Sequence, residues 1–328
     1  MDVVNSMSLA AGNLVSVPVL AFVLGVLAAG LRADLRLPDA AYQAISIYLL
    51  FAIGLKGGVA LRQSSPGEVA GPIVAALALG VLVPVAAFLL LRLITPLSGT
   101  DRGAMAAHYG STSLVTFTAA LVFLDAAAIE YEGFMATLLT VLEIPGIIVG
   151  LLLAGRGRSG GVAWGESLRE VLTGRSILLL AGGLLVGLLT GPSGYTKVEP
   201  FFGALFTGVL ALFLLEMGAI AGRRLGEVRK AGPGLIGFAL GFPLLAGTAG
   251  VVTGQAVGLS VGGSTVLGVL CASASYIAAP AAVRLALPEA NPGLTLTASL
   301  GLTFPFNLVI GIPVYLAIAT AVSNLLAG

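Results

Sequence analysis

Two short clusters of small and hydroxyl-bearing residues interrupt the apolar runs of this sequence. The first reads HYGSTSLVTFT over residues 108–118, and the second reads CASASYIAAP over residues 271–280. A polar group without a partner in hydrocarbon costs on the order of several kcal/mol, so these clusters must face protein, water or a ligand. We expect helix breaks at 110–111 and at 279–280, because a break frees N–H groups for an anion and carbonyls for a cation.

Each cluster also has a simpler interpretation. Small residues let helices pack closely, and Ser and Thr hydroxyls can bond back to their own helix. This explanation suffices for a lone serine, but two clusters at matching positions favour a shared ion site near the membrane midplane. His108 adjoins the first cluster, where a neutral imidazole that caps the break is favoured over a proton relay.

Two polar residues beside prolines stand inside otherwise apolar runs. Glu143 lies in TVLEIPGIIVG and Asn307 lies in LTFPFNLVIG. A carboxylate inside a membrane is costly, so Glu143 should have a partner or a function. With the Asn307 amide, the Thr303 hydroxyl and backbone carbonyls it would offer hard oxygen ligands to a sodium ion. The acid could instead carry a proton, or bond to a neighbouring helix as a structural group.

Lys56 and Glu216 are two further ionisable residues in apolar surroundings. They stand in IGLKGG and LFLLEMGA, in similar segments of the two halves of the chain. The sequence leaves two interpretations open. They could pair with each other, or the Lys56 ammonium could reach a membrane face along its apolar stem.

The whole chain is unusually apolar. Of its 328 residues 58% are hydrophobic and only 9% are charged, with a mean hydropathy of +1.07. Soluble domains carry about 25% charged residues, so an ordinary soluble enzyme is excluded. A net charge of +1 predicts no nucleic-acid partner, and one Cys with one His argue against a metal site built from those residues. Nucleotide-binding and hydrolase motifs are absent, so we predict neither an enzyme nor an organic cofactor.

Ten apolar runs are predicted to cross a bilayer, each near the roughly 20 residues that a spanning helix needs. The odd-numbered loops between them hold 13 of the 16 basic residues, which places those loops in the cytoplasm and both termini outside. We therefore predict a multi-pass protein embedded in the lipid bilayer of a bacterial plasma (inner) membrane. The runs lie near 15–33, 40–60, 68–95, 103–124, 134–155, 175–191, 200–222, 231–257, 263–286 and 295–325.

The loop at 156–174 divides the chain into halves 1–155 and 175–328, with five spans each. Five is an odd number, so two homologous halves must lie in the membrane with opposite orientations, as in many secondary transporters. The sequence supports such a repeat weakly. The pairs Gly54 and Gly218, Gly58 and Gly222, Ser111 and Ser275, and Glu143 and Asn307 are each 164 positions apart. The expected fold is an all-α membrane protein of two inverted five-helix repeats, whose discontinuous helices cross near the midplane.

Several stretches resemble the sodium-dependent bicarbonate transporter family first known from cyanobacteria. They follow one another in the family's order, cover essentially the whole chain, and include ASYIAAPAAVRLALPEANPG at 274–293 as the most specific one. The others are IGLKGGVAL at 53–61, HYGSTSLVTFTAALVFLDAAAIEYEGF at 108–134 and TVLEIPGIIVGLLLA at 140–154.

The resemblance implies a core domain that moves against a gate domain, in an elevator-like form of alternating access. It implies sodium-coupled symport of bicarbonate, commonly a homotrimer, and possible regulation by a PII-like cytoplasmic protein. An acid such as Glu143 would help to hold the sodium ion. On the matching positions, substrate and ion would lie among Gly110, Ser111, Thr112, Ser113, Thr116, Ser273, Ser275 and Ala279.

One position departs from the family pattern. Tyr276 stands where the well-studied cyanobacterial branch carries an acidic residue just after the second serine cluster. The departure motivates a second hypothesis, a proton-coupled carrier of another small or organic anion on the same scaffold. A third hypothesis is a membrane receptor or regulatory subunit that transports nothing, although no loop here is large enough for a soluble sensing domain.

Overall fold

The computed structural model describes residues 15–155 except 34 and 36, 164–228, and 232–327, and the described residues are almost entirely helical. Part of the predicted linker, residues 156–163, and the first fourteen residues lie outside this description. The helices are α1 (Val17–Gly30), α2 (Asp39–Gln63), α3 (Pro66–Ile94), α4 (Gly99–Gly110), α5 (Leu114–Ala126), α6 (Met135–Gly155), α7 (Trp164–Thr173), α8 (Arg175–Thr196), α9 (Phe206–Val228), α10 (Pro233–Ala256), α11 (Val261–Ala272), α12 (Ala278–Ala286) and α13 (Pro292–Leu326).

Eight segments of the described residues are long and apolar enough to cross a membrane. In this count α4 and α5 form one segment, Gly99–Ala126, and α9 begins with the π-helical turn Pro200–Ala204. Helices α1 and α11 are apolar but shorter, and they correspond to the first and ninth predicted spans. The helical, membrane-spanning character of the chain is therefore confirmed, while the count of ten spans remains a prediction.

Serine caps fix the starts of several helices. Ser65 and Glu68 form a reciprocal capping box at the start of α3. Ser98 and Ser260 cap α4 and α11, where each side-chain oxygen accepts a backbone N–H three residues further on. Helices α4 and α11 have the same length of 12 residues. The two halves of the chain thus begin their discontinuous segments in the same way.

Glycines let two pairs of helices approach closely. A side chain at Gly54 or Gly58 of α2 would collide with the backbone of α8 around Leu184. A side chain at Gly218 of α9 would collide with the backbone of α1 at Phe22. Helix pairs α2–α8 and α1–α9 therefore each meet through a face that contains glycines.

A second set of helices surrounds the two breaks. Helix α6 packs against α4 through Gly103 of α4 and Gly146 and Gly150 of α6. At each of these positions the facing helix leaves no room for a side chain. Helices α10, α11 and α13 pack together on the other side, where Gly250 and Gly268 lie at the α10–α11 contact. This set holds every polar residue of the candidate site apart from Ser176 of α8.

Candidate functional site

The first break lies where the sequence predicted it. Helix α4 ends at Gly110, and Ser111 is extended, with φ −96° and ψ 163°. Helix α5 begins at Leu114, and the Ser113 hydroxyl accepts the Thr116 N–H at 3.2 Å as its cap. The break therefore places the carbonyl end of one short helix beside the N–H end of the next, the arrangement that can bind a cation and an anion side by side.

The second break begins earlier than predicted. Helix α11 ends at Ala272 and α12 begins at Ala278, so the interruption between the helices spans 273–277 rather than 279–280. Pro280 lies in the first turn of α12, where a proline costs no helical hydrogen bond. The Ser275 hydroxyl accepts the Ala279 N–H at 3.2 Å. Ala279 therefore contributes its backbone N–H to the site.

The ends of α4 and α11 also change which residues of the two breaks occupy equivalent positions. Ser111 and Ser273 each follow the last residue of a 12-residue helix, with nearly identical extended backbone angles. These positions are 162 apart, whereas the sequence comparison paired Ser111 with Ser275. The difference of two residues arises because the helix ends, rather than similarity of residue type, define equivalent positions.

Four hydrogen bonds join the two breaks, and three of them involve backbone groups. The Ser275 N–H donates to the His108 carbonyl at 2.8 Å, and the His108 ring Nδ1 bonds the Ser275 carbonyl at 2.7 Å. The Ser113 N–H donates to the Ser273 hydroxyl at 2.9 Å. These bonds place the two polar clusters against each other. His108, which was expected to cap its own break, instead caps the opposite one.

A small cavity opens beside this crossing, with a volume of about 10 Å³, room for about one water molecule. Its walls include Glu143 of α6 and Ser176 of α8, so the cavity lies where the helices of the crossing meet the helices of the glycine-packed pairs. The polar lining consists of Thr112, Ser113, Glu143, Ser176, Ser275 and Tyr276.

Two buried oxygens near this crossing have no hydrogen-bond partner among the described residues. They are Oε2 of Glu143 and the hydroxyl of Ser111, whose residues are 5% and 1% exposed. Buried polar groups are rarely left unpaired, and each such group requires an explanation. Gly146 brings α6 against Ser111, one helical turn from Glu143. A carboxylate, a hydroxyl and the carbonyl end of α4 form an oxygen-rich setting suited to a hard cation such as sodium.

Tyr276 occupies the crossing itself. Its hydroxyl accepts a hydrogen bond from Ser113 at 3.3 Å, and its ring packs edge-on against Phe304 at 5.5 Å between centroids. Ser113 also accepts the Thr116 hydroxyl at 3.0 Å. A neutral phenol therefore stands among the hydroxyls where an anion or a cation would have to pass.

The other two proposed sodium ligands lie in separate hydrogen-bond networks. Asn307 donates to the Ala272 carbonyl at 2.8 Å and accepts from Tyr315 at 3.0 Å. Thr303 donates to the Ala239 carbonyl at 2.7 Å and bonds the Tyr109 hydroxyl at 2.6 Å. No bond recorded among the described residues brings either one to Glu143.

The roles of Asn307 and Thr303 follow from these partners. Asn307 holds the carbonyl end of α11, and it lies in the π-helical stretch Asn307–Gly311. Thr303 ends the π-helical stretch Thr297–Thr303. Tyr109 and Tyr315, which complete the two networks, were not predicted from the sequence. The position of Tyr109 inside the cluster HYGSTS was the signal available for it.

The suggested pairing of Lys56 with Glu216 is wrong. Glu216 accepts the Leu37 N–H at 2.9 Å, and Arg223 lies 4.0 Å from its other oxygen. Lys56 instead lies over the Phe206 ring, 4.9 Å from its centroid. Leu37 precedes α2, whereas Lys56 lies about 25 Å further along that helix at 1.5 Å per residue, so the two charges do not meet.

Known proteins give two kinds of similarity. The chain is 38% identical over 80 residues to a CDP-archaeol synthase of Thermococcus gammatolerans and 36% identical over 81 residues to one of Thermococcus kodakarensis. Each match covers 24% of this chain and 47% of the relative, so the chain spans less than half the length of the curated relatives it matches.

The second similarity extends over most of the chain. The profile of one transporter family matches residues 18–320, a range that contains both breaks, Glu143 and all helices from α2 to α12. The crossing of two broken helices, with its hydroxyls and buried acid, is the kind of site that a transporter of small ions requires. The chain belongs to the Na⁺-dependent bicarbonate transporter superfamily.

Proposed function

We propose that the protein is a secondary active transporter that couples the uptake of bicarbonate to sodium through the crossing of its two helix breaks. The observation that carries the proposal is the pair of unpartnered oxygens, Glu143 Oε2 and Ser111 Oγ, beside two breaks that hydrogen-bond to each other. Sodium would be a co-transported ion held by Glu143, Ser111 and the carbonyl end of α4. The membership of the superfamily supports sodium and bicarbonate as the ion pair.

The anion would bind at the opposite helix ends. Helices α5 and α12 both begin at the crossing, and the first N–H groups of a helix have no partner within it. Ser113 and Ser275 each use their hydroxyl on one of these N–H groups, at Thr116 and Ala279. Thr112 supplies a further hydroxyl in the cavity wall, and the Ser273 hydroxyl positions the first break by accepting the Ser113 N–H. The sodium ion and the anion would thus stabilise each other's binding, which is the physical basis of coupling.

Alternating access would follow from the two sets of helices. Helix pairs α2–α8 and α1–α9 form the proposed gate domain, and α3–α6 with α10–α13 form the proposed core domain. The cavity holds about one water molecule, so passage of a bicarbonate ion needs the two sets to shift relative to each other. The matching glycine contacts of the two helix pairs support an inverted repeat of halves 1–155 and 175–328.

The cellular setting is part of this proposal. The distribution of basic residues supports a bacterial plasma membrane location with both termini outside. A homotrimer and a PII-like cytoplasmic regulator follow from the family resemblance. The partial similarity to CDP-archaeol synthases contributes nothing to the proposal, because it covers only a quarter of the chain.

The direct test is uptake of labelled bicarbonate by the purified, reconstituted protein. We expect an imposed inward sodium gradient to accelerate uptake at least tenfold over the same vesicles in choline. Protein-free vesicles measured at the same pH control for the diffusion of dissolved carbon dioxide. Equal uptake with and without the sodium gradient would contradict sodium coupling.

A proton-coupled carrier of another anion is the second candidate, and Tyr276 is the observation that favours it. Its neutral hydroxyl adds no charge to attract a sodium ion at the crossing. In that mechanism Glu143 would carry the proton. Uptake in choline, compared at two imposed pH gradients, separates the two candidates. Once the uptake by protein-free vesicles is subtracted, only the proton-coupled carrier would respond to the pH gradient without sodium.

The two serines of the crossing provide a test of the site. We expect the double substitution Ser111→Ala and Ser275→Ala to lower sodium-dependent uptake at least tenfold, because it removes an unpartnered oxygen and the cap of α12. Ser299→Ala is the matched control, since Ser299 is equally buried but bonds only its own helix at Thr295. Equal uptake rates in the double variant and the control would exclude this assignment.

A further inference from the structure

A second cavity lies on the other side of the Ser275–His108 bridge, between α12 and the start of α13. Its volume is about 80 Å³, room for several water molecules, and prolines and aliphatic side chains form most of its wall. The polar residues that line it are His108, Arg284, Asn291 and Thr295. It is distinct from the crossing cavity, with which it shares none of its lining residues.

The geometry of His108 fixes what its ring offers to this cavity. A carbonyl oxygen can only accept a hydrogen bond, so Nδ1 must carry the hydrogen in its bond to the Ser275 carbonyl. In the neutral ring Nε2 then keeps a lone pair and acts as an acceptor. His108 is 1% exposed, and the part of the chain that the structure describes provides no partner for Nε2. The buried wall of the cavity therefore carries an unused acceptor.

Arg284 offers the cavity hydrogen-bond donors and a positive charge, whereas His108 offers an acceptor. It lies in the last turn of α12, is exposed, and has no salt bridge to any residue in the described ranges. A guanidinium group presents paired N–H donors that match two oxygens of a planar oxyanion. Asp101 and Glu289 adjoin the lining residues without being among them, and Asp101 accepts hydrogen bonds from Asn291 N and the Ser98 hydroxyl. The charge and the donors at this position thus favour a small anion.

We propose that this cavity is a second binding site for a small planar oxyanion that keeps one O–H group. Arg284 binds two oxygens of the anion, and the O–H of the anion donates to His108 Nε2. Bicarbonate has this combination of a carboxylate-like edge and one hydroxyl, so the proposal rests on the proposed function for the identity of the anion. Nitrate has the same charge and planar shape but no hydroxyl, and it would lack the bond to His108.

The site is next to the transport path without being part of it. Ser275 is the shared element, because its hydroxyl caps α12 at the crossing while its carbonyl holds the His108 ring. An anion bound at Arg284 and His108 would therefore lie directly behind the second break. We place it at the end of the bundle where α4 and α13 begin, which is the predicted cytoplasmic end, beside the route by which the transported anion would leave the crossing.

Equilibrium binding of ¹³C-bicarbonate to the purified full-length protein tests the proposal. We expect Arg284→Gln to bind one anion fewer per chain than Arg169→Gln. Arg169 is the matched control because it is an exposed arginine on α7 that lines neither cavity. Equal numbers of bound anions in the two variants would overturn the proposal, whatever number the unmodified protein binds.

Competition with nitrate tests the role of His108. In the unmodified protein we expect nitrate to displace bicarbonate from this site at least tenfold less effectively than unlabelled bicarbonate does. His108→Asn keeps an N–H for the Ser275 carbonyl, but its shorter side chain has no acceptor at the position of Nε2, so it should abolish this preference. Equal displacement by nitrate and bicarbonate in the unmodified protein would refute recognition of the O–H group.

Uptake by reconstituted vesicles separates this proposal from the proposed function. If the unmodified protein does not transport bicarbonate, the proposed function fails, but the difference in bound anions between the Arg284→Gln and Arg169→Gln variants still decides whether the second site exists. If transport is sodium-dependent and the two variants bind equal numbers of anions, only the second site is refuted.

Discussion

Glu143→Gln is expected to abolish sodium-dependent uptake while leaving the fold intact. The glutamine side chain has the shape of the acid but no negative charge. Removing one member of a buried charge pair costs about 3 kcal/mol or more, and each 1.4 kcal/mol corresponds to a factor of ten. We therefore expect the initial rate of sodium-driven uptake to fall at least ~100-fold, measured in vesicles with equal amounts of reconstituted protein.

Thermal unfolding distinguishes loss of the ion from loss of the fold. An ion that binds only the folded state of a protein raises the protein's melting temperature. The unmodified protein should therefore melt at a higher temperature in sodium than in choline. In Glu143→Gln this stabilisation should disappear, while the melting temperature in choline stays the same or rises because no charge remains buried. Glu166→Gln on the exposed face of α7 is the control and should keep both uptake and stabilisation. Sodium stabilisation of Glu143→Gln equal to that of the control would exclude Glu143 as a sodium ligand.

Gly146→Ala is expected to lower sodium-dependent uptake nearly as much as Glu143→Gln does, for a purely steric reason. A Cβ atom at this position of α6 would overlap the Gly110 carbonyl and stand 2.7 Å from the Ser111 nitrogen. Both neighbours are backbone atoms, so no side chain can turn away and α4 must move from α6. Overpacking a core costs about 1–3 kcal/mol, and here the displaced segment is the break itself.

The expected result for Gly146→Ala is a lower melting temperature together with loss of most sodium-dependent uptake. Gly241→Ala provides the control, because a Cβ atom on this glycine of α10 would have nothing within 4 Å. If Gly146→Ala and Gly241→Ala gave the same melting temperature and the same uptake rate, the close approach of α6 to the first break would not be required for transport.

The broad character of this protein could be read from its sequence. A charged fraction of 9% in a chain of 328 residues leaves too little polar surface for a water-soluble fold, so long apolar helices follow from composition alone. The first break was predictable because Gly110 and Ser111 are poor continuations of an apolar helix. The stretch at 274–293 was distinctive enough to indicate the superfamily, which the match over residues 18–320 confirms.

The tertiary structure decided which polar groups meet. Asn307 and Thr303 have the right chemistry for a sodium ion, yet they bond Tyr315 and Tyr109, because helix packing rather than residue type selects partners. Glu216 likewise bonds the Leu37 N–H before α2 rather than Lys56 within that helix. Distances between residues far apart in the sequence depend on how helices pack, and no local pattern records that arrangement. The sequence by itself determined that polar groups are buried in a membrane protein, and only the packing of α4, α6, α11 and α12 brought Ser111, Glu143, Ser275 and His108 to one place.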